Sequence, residues 1–257
     1  MIGIIGGTIF SDSEFFEKIE QRKINTPYGP PSSELVFGVL GSKKVVFLAR
    51  HGNEHTIPPH KINYRANIWA LFSVGVGRVV SFSAVGSLKE EIKPGDFVIP
   101  DNFFDWTKSR KNTFYDGPKV GHIEIAEPFC PDLRAQIINS CKKLDIPYHA
   151  NGTCICIDGP RFSTRAESNI FRKWGLDIIN MTLVPEVVLA REKGMCYANI
   201  GMVTDYDVWK EEKVSLDNIR DVIKSNENNI KLLLKHVLSN LGQKTCSCEK
   251  VLENAFI

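Results

Sequence analysis

No stretch of this 257-residue sequence is long and apolar enough to cross a bilayer as a helix. The longest nearly apolar run, residues 66–77, lies between Arg65 and Arg78, whereas a spanning helix needs roughly 20 residues. Nor does any block of basic residues stand out. Lys plus Arg is 32 and Asp plus Glu is 30, a net charge of +2, which argues against nucleic-acid binding through bulk charge. Cysteine is sparse, seven in all. That is too few for a disulfide scaffold at this length, although the odd count leaves at least one thiol unpaired within the chain. No Gly/Ser linker, low-complexity tract or internal repeat divides the sequence. With 43% apolar residues and balanced charge, a disordered chain is excluded. Residues 1–7 carry no basic stretch ahead of their apolar run, so they read as a first strand rather than a leader. The chain is expected to be soluble and cytoplasmic, with no membrane and no nucleic acid among its partners.

What is present alternates between strand and helix signals. Residues 2–5 are a β-branched run that ends in Gly6-Gly7, the pattern of a buried strand feeding a turn. Residues 35–40 and 44–49 flank Gly41-Ser42 in the manner of a hairpin. Further strands are expected at 78–83, 97–100, 153–157, 178–181 and 196–204, and helices at 64–76, 131–143, 164–174 and 185–193. From Leu216 onward, Ile219, Val222, Ile223, Ile230, Leu233, Leu234, Val237 and Leu241 recur at helical spacing behind Ser215 as N-cap. That spacing predicts one long final helix. The expected fold is a single α/β domain, a mixed sheet flanked by helices, over residues 1–241. Residues 242–257 are a polar tail carrying Cys246-Ser247-Cys248, which either packs on the body or moves.

Polar and small residues gather at the ends of the expected strands. Gly6-Gly7-Thr8 follows the first. Glycines let backbone amides approach an anion, and a hydroxyl adds a donor, though such a run is more often only a turn. It does not supply the G-x-G-x-x-G of a dinucleotide site. Arg50-His51-Gly52-Asn53-Glu54-His55-Thr56 follows a buried strand. Arg offers a planar fork of donors suited to phosphate, and His can shuttle a proton. Further ligands at metal spacing do not follow, so no metal is expected there. Ser83-Ala84-Val85-Gly86-Ser87 closes another strand. Gly159-Pro160-Arg161-Phe162-Ser163 presents an aromatic ring that either stacks on a flat base or tucks into the core. Asn180-Met181-Thr182 precedes the helix start Pro185-Glu186. Thr204-Asp205-Tyr206-Asp207 sets two carboxylates at a strand's carboxyl end, where they line a crevice or cap the next segment. Open α/β sheets bind ligands at such ends, and this set fits a phosphate plus a flat heterocycle.

These runs, together with 63–71, 126–130 and 165–168, resemble in order the 5′-methylthioadenosine phosphorylase family, part of the purine nucleoside phosphorylase group. The resemblance extends from Met1 to about Leu238. It implies a mixed, distorted, barrel-like sheet with flanking helices and assembly as trimers or as hexamers built from trimers. It implies phosphorolysis of 5′-methylthioadenosine to adenine and 5-methylthioribose 1-phosphate, with phosphate as co-substrate and no organic cofactor or metal. On this resemblance Thr8, Arg50, His51, Ser83, the backbone of Ala84 and Thr182 bind phosphate. Phe162 stacks on the purine, Met181 lies along the ribose, and Asp205 and Asp207 address the base edge. Asp205 and His51 are the expected catalytic pair. His122 reaches into a neighbouring subunit's 5′ pocket. Ser163 and Leu216 set substrate preference. Relatives from hyperthermophiles carry a C-x-C pair and internal disulfides, which by match implies Cys130–Cys196 and Cys246–Cys248 bridges here. Ile9 departs from the family pattern, which has Gly there, and a β-branched residue resists φ > 0, so a different turn is expected. Ser83 in place of the usual Thr keeps the hydroxyl.

Members of the wider group that act on 6-oxopurines usually have Asn where Asp205 stands and Glu where Ser163 stands. Asn donates to an oxo group, whereas an ionised Asp only accepts. The expected substrate order is therefore 5′-methylthioadenosine, then adenosine, with inosine poor. The alternatives are a phosphorylase of broader specificity or for 6-oxopurine nucleosides (inosine, guanosine, methylthioinosine), and, from another class, a non-catalytic nucleoside-binding protein.

Overall fold

The strand Ile2–Gly6 (β1) is buried along its whole length, as a run of β-branched residues between two covered faces should be. It belongs to a computed structural model that describes residues 1–7, 16–211 and 214–257. Thr8 and Ile9 lie outside the described residues. The remaining strands, in chain order, are β2 (Glu17–Arg22), β3 (Leu35–Leu40), β4 (Lys43–Ala49), β5 (Arg78–Ser87), β6 (Phe97–Val98), β7 (Asn102–Trp106), β8 (Asp116–Gly117), β9 (Lys119–Val120), β10 (Tyr148–His149), β11 (Thr153–Ile157), β12 (Ile178–Asn180) and β13 (Cys196–Asp205). The helices are α1 (Tyr64–Ser73), α2 (Pro131–Lys143), α3 (Arg165–Lys173), α4 (Leu183–Glu192), α5 (Leu216–Ser225) and α6 (Glu227–Ser239).

Among the described residues, eleven strands join in one mixed sheet whose main path runs β10-β6-β13-β5-β1-β4-β3-β2. It is a single α/β domain with helices on both faces. Alternation along β4 shows this directly: Val45 and Phe47 face a core that includes Leu133, Ile137, Leu233, Leu234 and Val237 from α2 and α6. Val46 and Leu48 face another that includes Ile68, Leu71, Val187 and Leu189 from α1 and α4. Period-2 alternation sends successive side chains to opposite faces.

The sheet forks at β5. Residues 78–81 pair with β1 in parallel, but β1 is only five residues long and β5 runs on to Ser87. The edge beyond it is taken by β12, antiparallel, at Ile179↔Gly86 and Ile178↔Ser87. β11 pairs with β12 and β7 with β11. This side branch bends the sheet, and between the end of β1 and the start of the β12 pairing a cleft opens over residues 82–85.

Three expectations change in detail. The helix expected at 64–76 stops at Ser73: Gly75 takes φ +83 and its N–H bonds to the Phe72 carbonyl while Val76 N–H reaches that of Leu71. This is a glycine-dependent stop that an apolar pattern does not register. The strand expected at 78–83 extends four residues further. The single final helix is two, α5 and α6, broken at Asn226, whose side chain donates to the Val222 carbonyl. A short amide that bonds local backbone competes with helix continuation. Ser215 does cap α5, accepting from Asn218 N–H at 3.1 Å. The tail packs: Cys248 is buried and Ala255 accepts from His122 N–H at 2.7 Å. Among the described residues no helix is long and apolar enough to cross a membrane.

Candidate active site

The cleft beside β5 is a cavity of about 700 Å³. Its floor is Phe82 to Gly86, where β5 lacks a strand on one side, and its ends are the carboxyl termini of β1, β4, β12 and β13.

One end is polar and is built on Arg50, directly after β4. Its guanidinium is almost fully buried. Nε and Nη2 hold the Glu186 carboxylate at 2.7 and 2.9 Å. Nη2 also reaches Ser81 Oγ at 2.5 Å, and Nη1 the Phe82 carbonyl at 2.8 Å. Burial works against the charge, but the Glu186 carboxylate outweighs it and Arg50 is held above its ordinary range. Four of its five hydrogens are thus committed to protein, leaving one on Nη1 for a ligand. Glu186 in turn accepts from Ser81 Oγ at 2.9 Å and Tyr197 Oη at 2.7 Å.

His51 follows Arg50 and points one nitrogen at protein: Nδ1 donates to the Ile57 carbonyl at 2.8 Å. Its ring stacks on His55, centroids 4.3 Å apart. Burial, then the neighbouring Arg50 charge, push its pKa down to about 4. The ring is therefore neutral near pH 7, with the proton on Nδ1 and a lone pair on Nε2. Ser83 Oγ sits between Asn199 Oδ1, to which it donates at 3.1 Å, and Asn180 Nδ2. Thr182 precedes α4 and its side chain makes no capping bond; Val184 is extended at φ −104, ψ 131, so the regular turns of the helix begin at Pro185. Its hydroxyl, at the cavity wall and without a capping duty, can turn to an anion.

The other end carries the two carboxylates. β13 shifts register against β5 between Val203 and Asp205. Such bulges re-aim side chains beside sites, and here the bulge turns Asp205 into the cavity. Asp205 accepts from Thr204 Oγ1 at 2.7 Å and from Asp207 N–H at 2.8 Å. Burial raises its pKa, and the charge of Asp207 adds to the rise, against those two hydrogen bonds. Asp207 is raised too, chiefly by burial, with the Ser168 and Ser163 hydroxyls opposing. Its Oδ2 is buried without a partner of good hydrogen-bond geometry, as is Ser163 Oγ. Asp207 adopts φ +50, a left-handed conformation costing a non-glycine residue roughly 1–3 kcal/mol and common at functional sites. Gly86 makes this approach feasible: a Cβ there would meet Asp205 Oδ1 and Ile179 Cγ2, both at 3.0 Å.

An apolar wall joins the two ends. Phe162, Met181, Leu216, Ile219 and Ile223 all line the cavity. Ile219 and Ile223, two of the residues at helical spacing in α5, thus face the cavity, Ile223 also packing on the core behind it; none of the helix is fully buried.

The structure therefore gathers Arg50, His51, Ser83, Ala84, Phe162, Ser163, Met181, Thr182, Asp205, Asp207 and Leu216 around one cavity. Thr8 lies outside the described residues. His122 is exposed and is not among the residues lining this cavity. Sequence reading missed Glu186 and Asn199, which hold Arg50 and Ser83; buried polar residues inside apolar runs were the available signal. It also missed Arg220 and Lys224 of α5, cations at the cavity wall.

The chain resembles known proteins along nearly its whole length. The profile of the Phosphorylase superfamily matches residues 1–239. The chain is 54% identical to S-methyl-5′-thioadenosine phosphorylase of Thermofilum pendens, over 100% of this chain and 98% of that one. It is 52% identical to the protein of the same name from Pyrococcus horikoshii, over 100% and 99%. Among solved structures it superposes on methylthioadenosine phosphorylase from Schistosoma mansoni in complex with adenine, with a TM-score of 0.93, 40% identity and 98% and 96% coverage. It also superposes on a mutant adenosine/methylthioadenosine phosphorylase from that organism in complex with methylthioadenosine, with a TM-score of 0.93, 40% identity and 98% and 95% coverage.

Proposed function

The chain belongs to the phosphorylase superfamily, and from that premise we propose that it cleaves 5′-methylthioadenosine with phosphate to give adenine and 5-methylthioribose 1-phosphate. The observation that carries this reading is one continuous cavity with a neutral His51 and an uncapped Thr182 at one end and two pKa-raised carboxylates at the other. The full-length relatives of the same named activity support it.

In this reading phosphate lies against Arg50, His51, Ser83, Thr182 and the Ala84 backbone. His51 Nε2 accepts a hydrogen bond from the P–OH of the phosphate dianion, and one of its anionic oxygens attacks the sugar carbon as the bond to the purine breaks. The sugar is cationic in the transition state, and the bound anion stabilises it from the opposite face. The departing electron pair moves into the purine, and Asp205, a carboxylate that burial makes a better base, supports the proton or strong hydrogen bond the ring gains. Phe162 covers the ring, Met181 the ribose, and Asp207 with Ser163 the base edge. Leu216, Ile219 and Ile223 give the methylthio end an apolar surface.

Adenine release that requires both nucleoside and phosphate is the expected result. Release without phosphate would replace this reading with a hydrolase, a preference for inosine with a 6-oxopurine enzyme, and binding without turnover with a nucleoside-binding protein.

We also propose a cytoplasmic homo-oligomer, a trimer or a pair of trimers, with His122 completing a neighbour's 5′ pocket. Phe104 and Trp106 on the edge strand β7 and Trp174 after α3 are exposed and in mutual ring contact. A patch of this kind marks an interface. Sedimentation velocity should give a trimer or hexamer, and a monomer would remove both proposals.

A further inference from the structure

Four cysteines from three separate parts of the sequence meet at the opposite end of β13 from Asp205. The Sγ atoms of Cys130, Cys196, Cys246 and Cys248 all lie within 4.8 Å of one another, with no disulfide between them in the structure. Cys196 opens β13, which places the cluster about 30 Å from Asp205 at 3.3 Å per residue. Cys246 Sγ is 3.3 Å from that of Cys196 and 3.6 Å from that of Cys130. Those separations far exceed the ~2.05 Å of a disulfide. They approach the ~3.8 Å edge of a tetrahedron whose centre lies 2.3 Å from each sulfur.

The surroundings suit thiolates. Cys130 is the N-cap of α2, where the helix dipole favours negative charge, and its sulfur accepts from Leu133 N–H at 3.5 Å. The Arg191 charge reaches Cys248, and its Nε is buried without a hydrogen-bond partner. Lys244 lies within the field of Cys196 and Cys246. The tail loop is fixed before any ligand arrives: Asp132 Oδ2 accepts from Thr245 N–H, Thr245 Oγ1 and Cys246 N–H at 2.7–2.8 Å.

The geometry points to a structural zinc site, a divalent ion held by Cys130, Cys196, Cys246 and Cys248 that fastens the C-terminal segment to α2 and β13. Binding breaks four S–H bonds, forms four Zn–S bonds, and releases up to four protons with no electron transfer. The resulting dianion faces Arg191 and Lys244. Four thiolates without an open position make a closed site rather than a catalytic one.

The test uses the full chain expressed with zinc and purified under reductant. Metal analysis should find about one zinc per chain, four thiols should resist alkylation until a chelator is added, and the intact mass should show all seven cysteines reduced. Cobalt in place of zinc should give the intense visible bands of a tetrahedral thiolate site. Those bands should be lost in Cys248→Ser and kept in Cys154→Ser. A metal-free chain lighter by four hydrogens would overturn the site in favour of the Cys130–Cys196 and Cys246–Cys248 disulfides. Seven reactive thiols with no metal would overturn both. The mass and cobalt measurements on the unmodified chain decide the matter even if Cys248→Ser does not fold.

Discussion

Glu186→Gln probes how the anion end of the cavity is held together. The Glu186 carboxylate is 0% exposed and takes four hydrogen bonds, two from Arg50 and one each from Ser81 and Tyr197. Gln has the same size, so no cavity forms. It presents an NH₂ where the carboxylate had an acceptor, however, and that donor would face an Arg50 or hydroxyl donor. Arg50, 2% exposed, would be left as a buried charge without a counter-charge, at a loss of about 3–5 kcal/mol. At roughly 2–4 °C per kcal/mol for a chain near this length, the unfolding midpoint should fall by roughly 6–20 °C. A phosphate dianion is the other group able to neutralise Arg50. Added phosphate should therefore raise the midpoint of the variant more than that of the parent chain. Thermal unfolding followed by circular dichroism, with and without phosphate, measures both. An unchanged midpoint would show that Arg50 does not depend on Glu186, and an equal phosphate response would show that Arg50 does not face the anion.

Three further outcomes follow from the site. Gly86→Ala places a methyl against Asp205 Oδ1 and Ile179. It should lower kcat through misplacement of the carboxylate while lowering stability by no more than about 1–3 kcal/mol; unchanged kcat would show that Asp205 tolerates displacement. Asp205→Asn should shift the ratio of methylthioadenosine to inosine turnover toward inosine, by roughly 1–3 kcal/mol for the unpaired acceptors it relieves. A constant ratio would show that Asp205 does not read the base. His51, with a folded pKa of about 4 against an ordinary 6.5, binds its proton first in the unfolded chain. The stability it contributes is complete above about pH 6.5 and is lost as pH falls toward about 4. Denaturant titrations across that window should show a steeper loss for the parent chain than for His51→Gln, and parallel slopes would remove the argument.

The parts of this molecule that sequence made legible are those dictated by local chemistry. The buried runs of β1, β4 and β13, the cap Ser215, and the strand-end positions of Arg50, Thr182 and Asp205 follow from periodicity, hydroxyl placement and the resemblance to a family. Hidden parts depend on contacts between distant residues. Glu186 reads as an ordinary first-turn carboxylate of a helix; only the fold brings it 2.7 Å from Arg50, 136 residues away. Ile219 and Ile223 obey the helical period equally well whether they face a core or a cavity, so spacing could not assign them. The side strand β7 carries an exposed aromatic pattern that lacks the apolar alternation of a half-buried strand. The four-cysteine cluster has no ligand spacing to betray it, because its members come from one helix cap, one strand start and one tail loop.

The two ends of β13 show why irregularity is tolerable where the chemistry lies. At the carboxyl end the ladder is broken by a bulge, two carboxylates are buried close together, and Asp207 sits in a left-handed conformation. Each of these is locally unfavourable and persists only where surrounding structure fixes the backbone. At the amino end the same strand is paired in register with β5 from Cys196 to Val203, and nine of its ten residues are buried. Cys196 is also packed against α2 and the tail loop, itself clamped by Asp132. The strain at Asp205 is therefore opposed by a long regular ladder that cannot slip by one residue without turning both core faces inside out. Loosening the tail should accordingly lower stability without retuning the carboxylates, because the ladder between the two ends transmits register and not side-chain position.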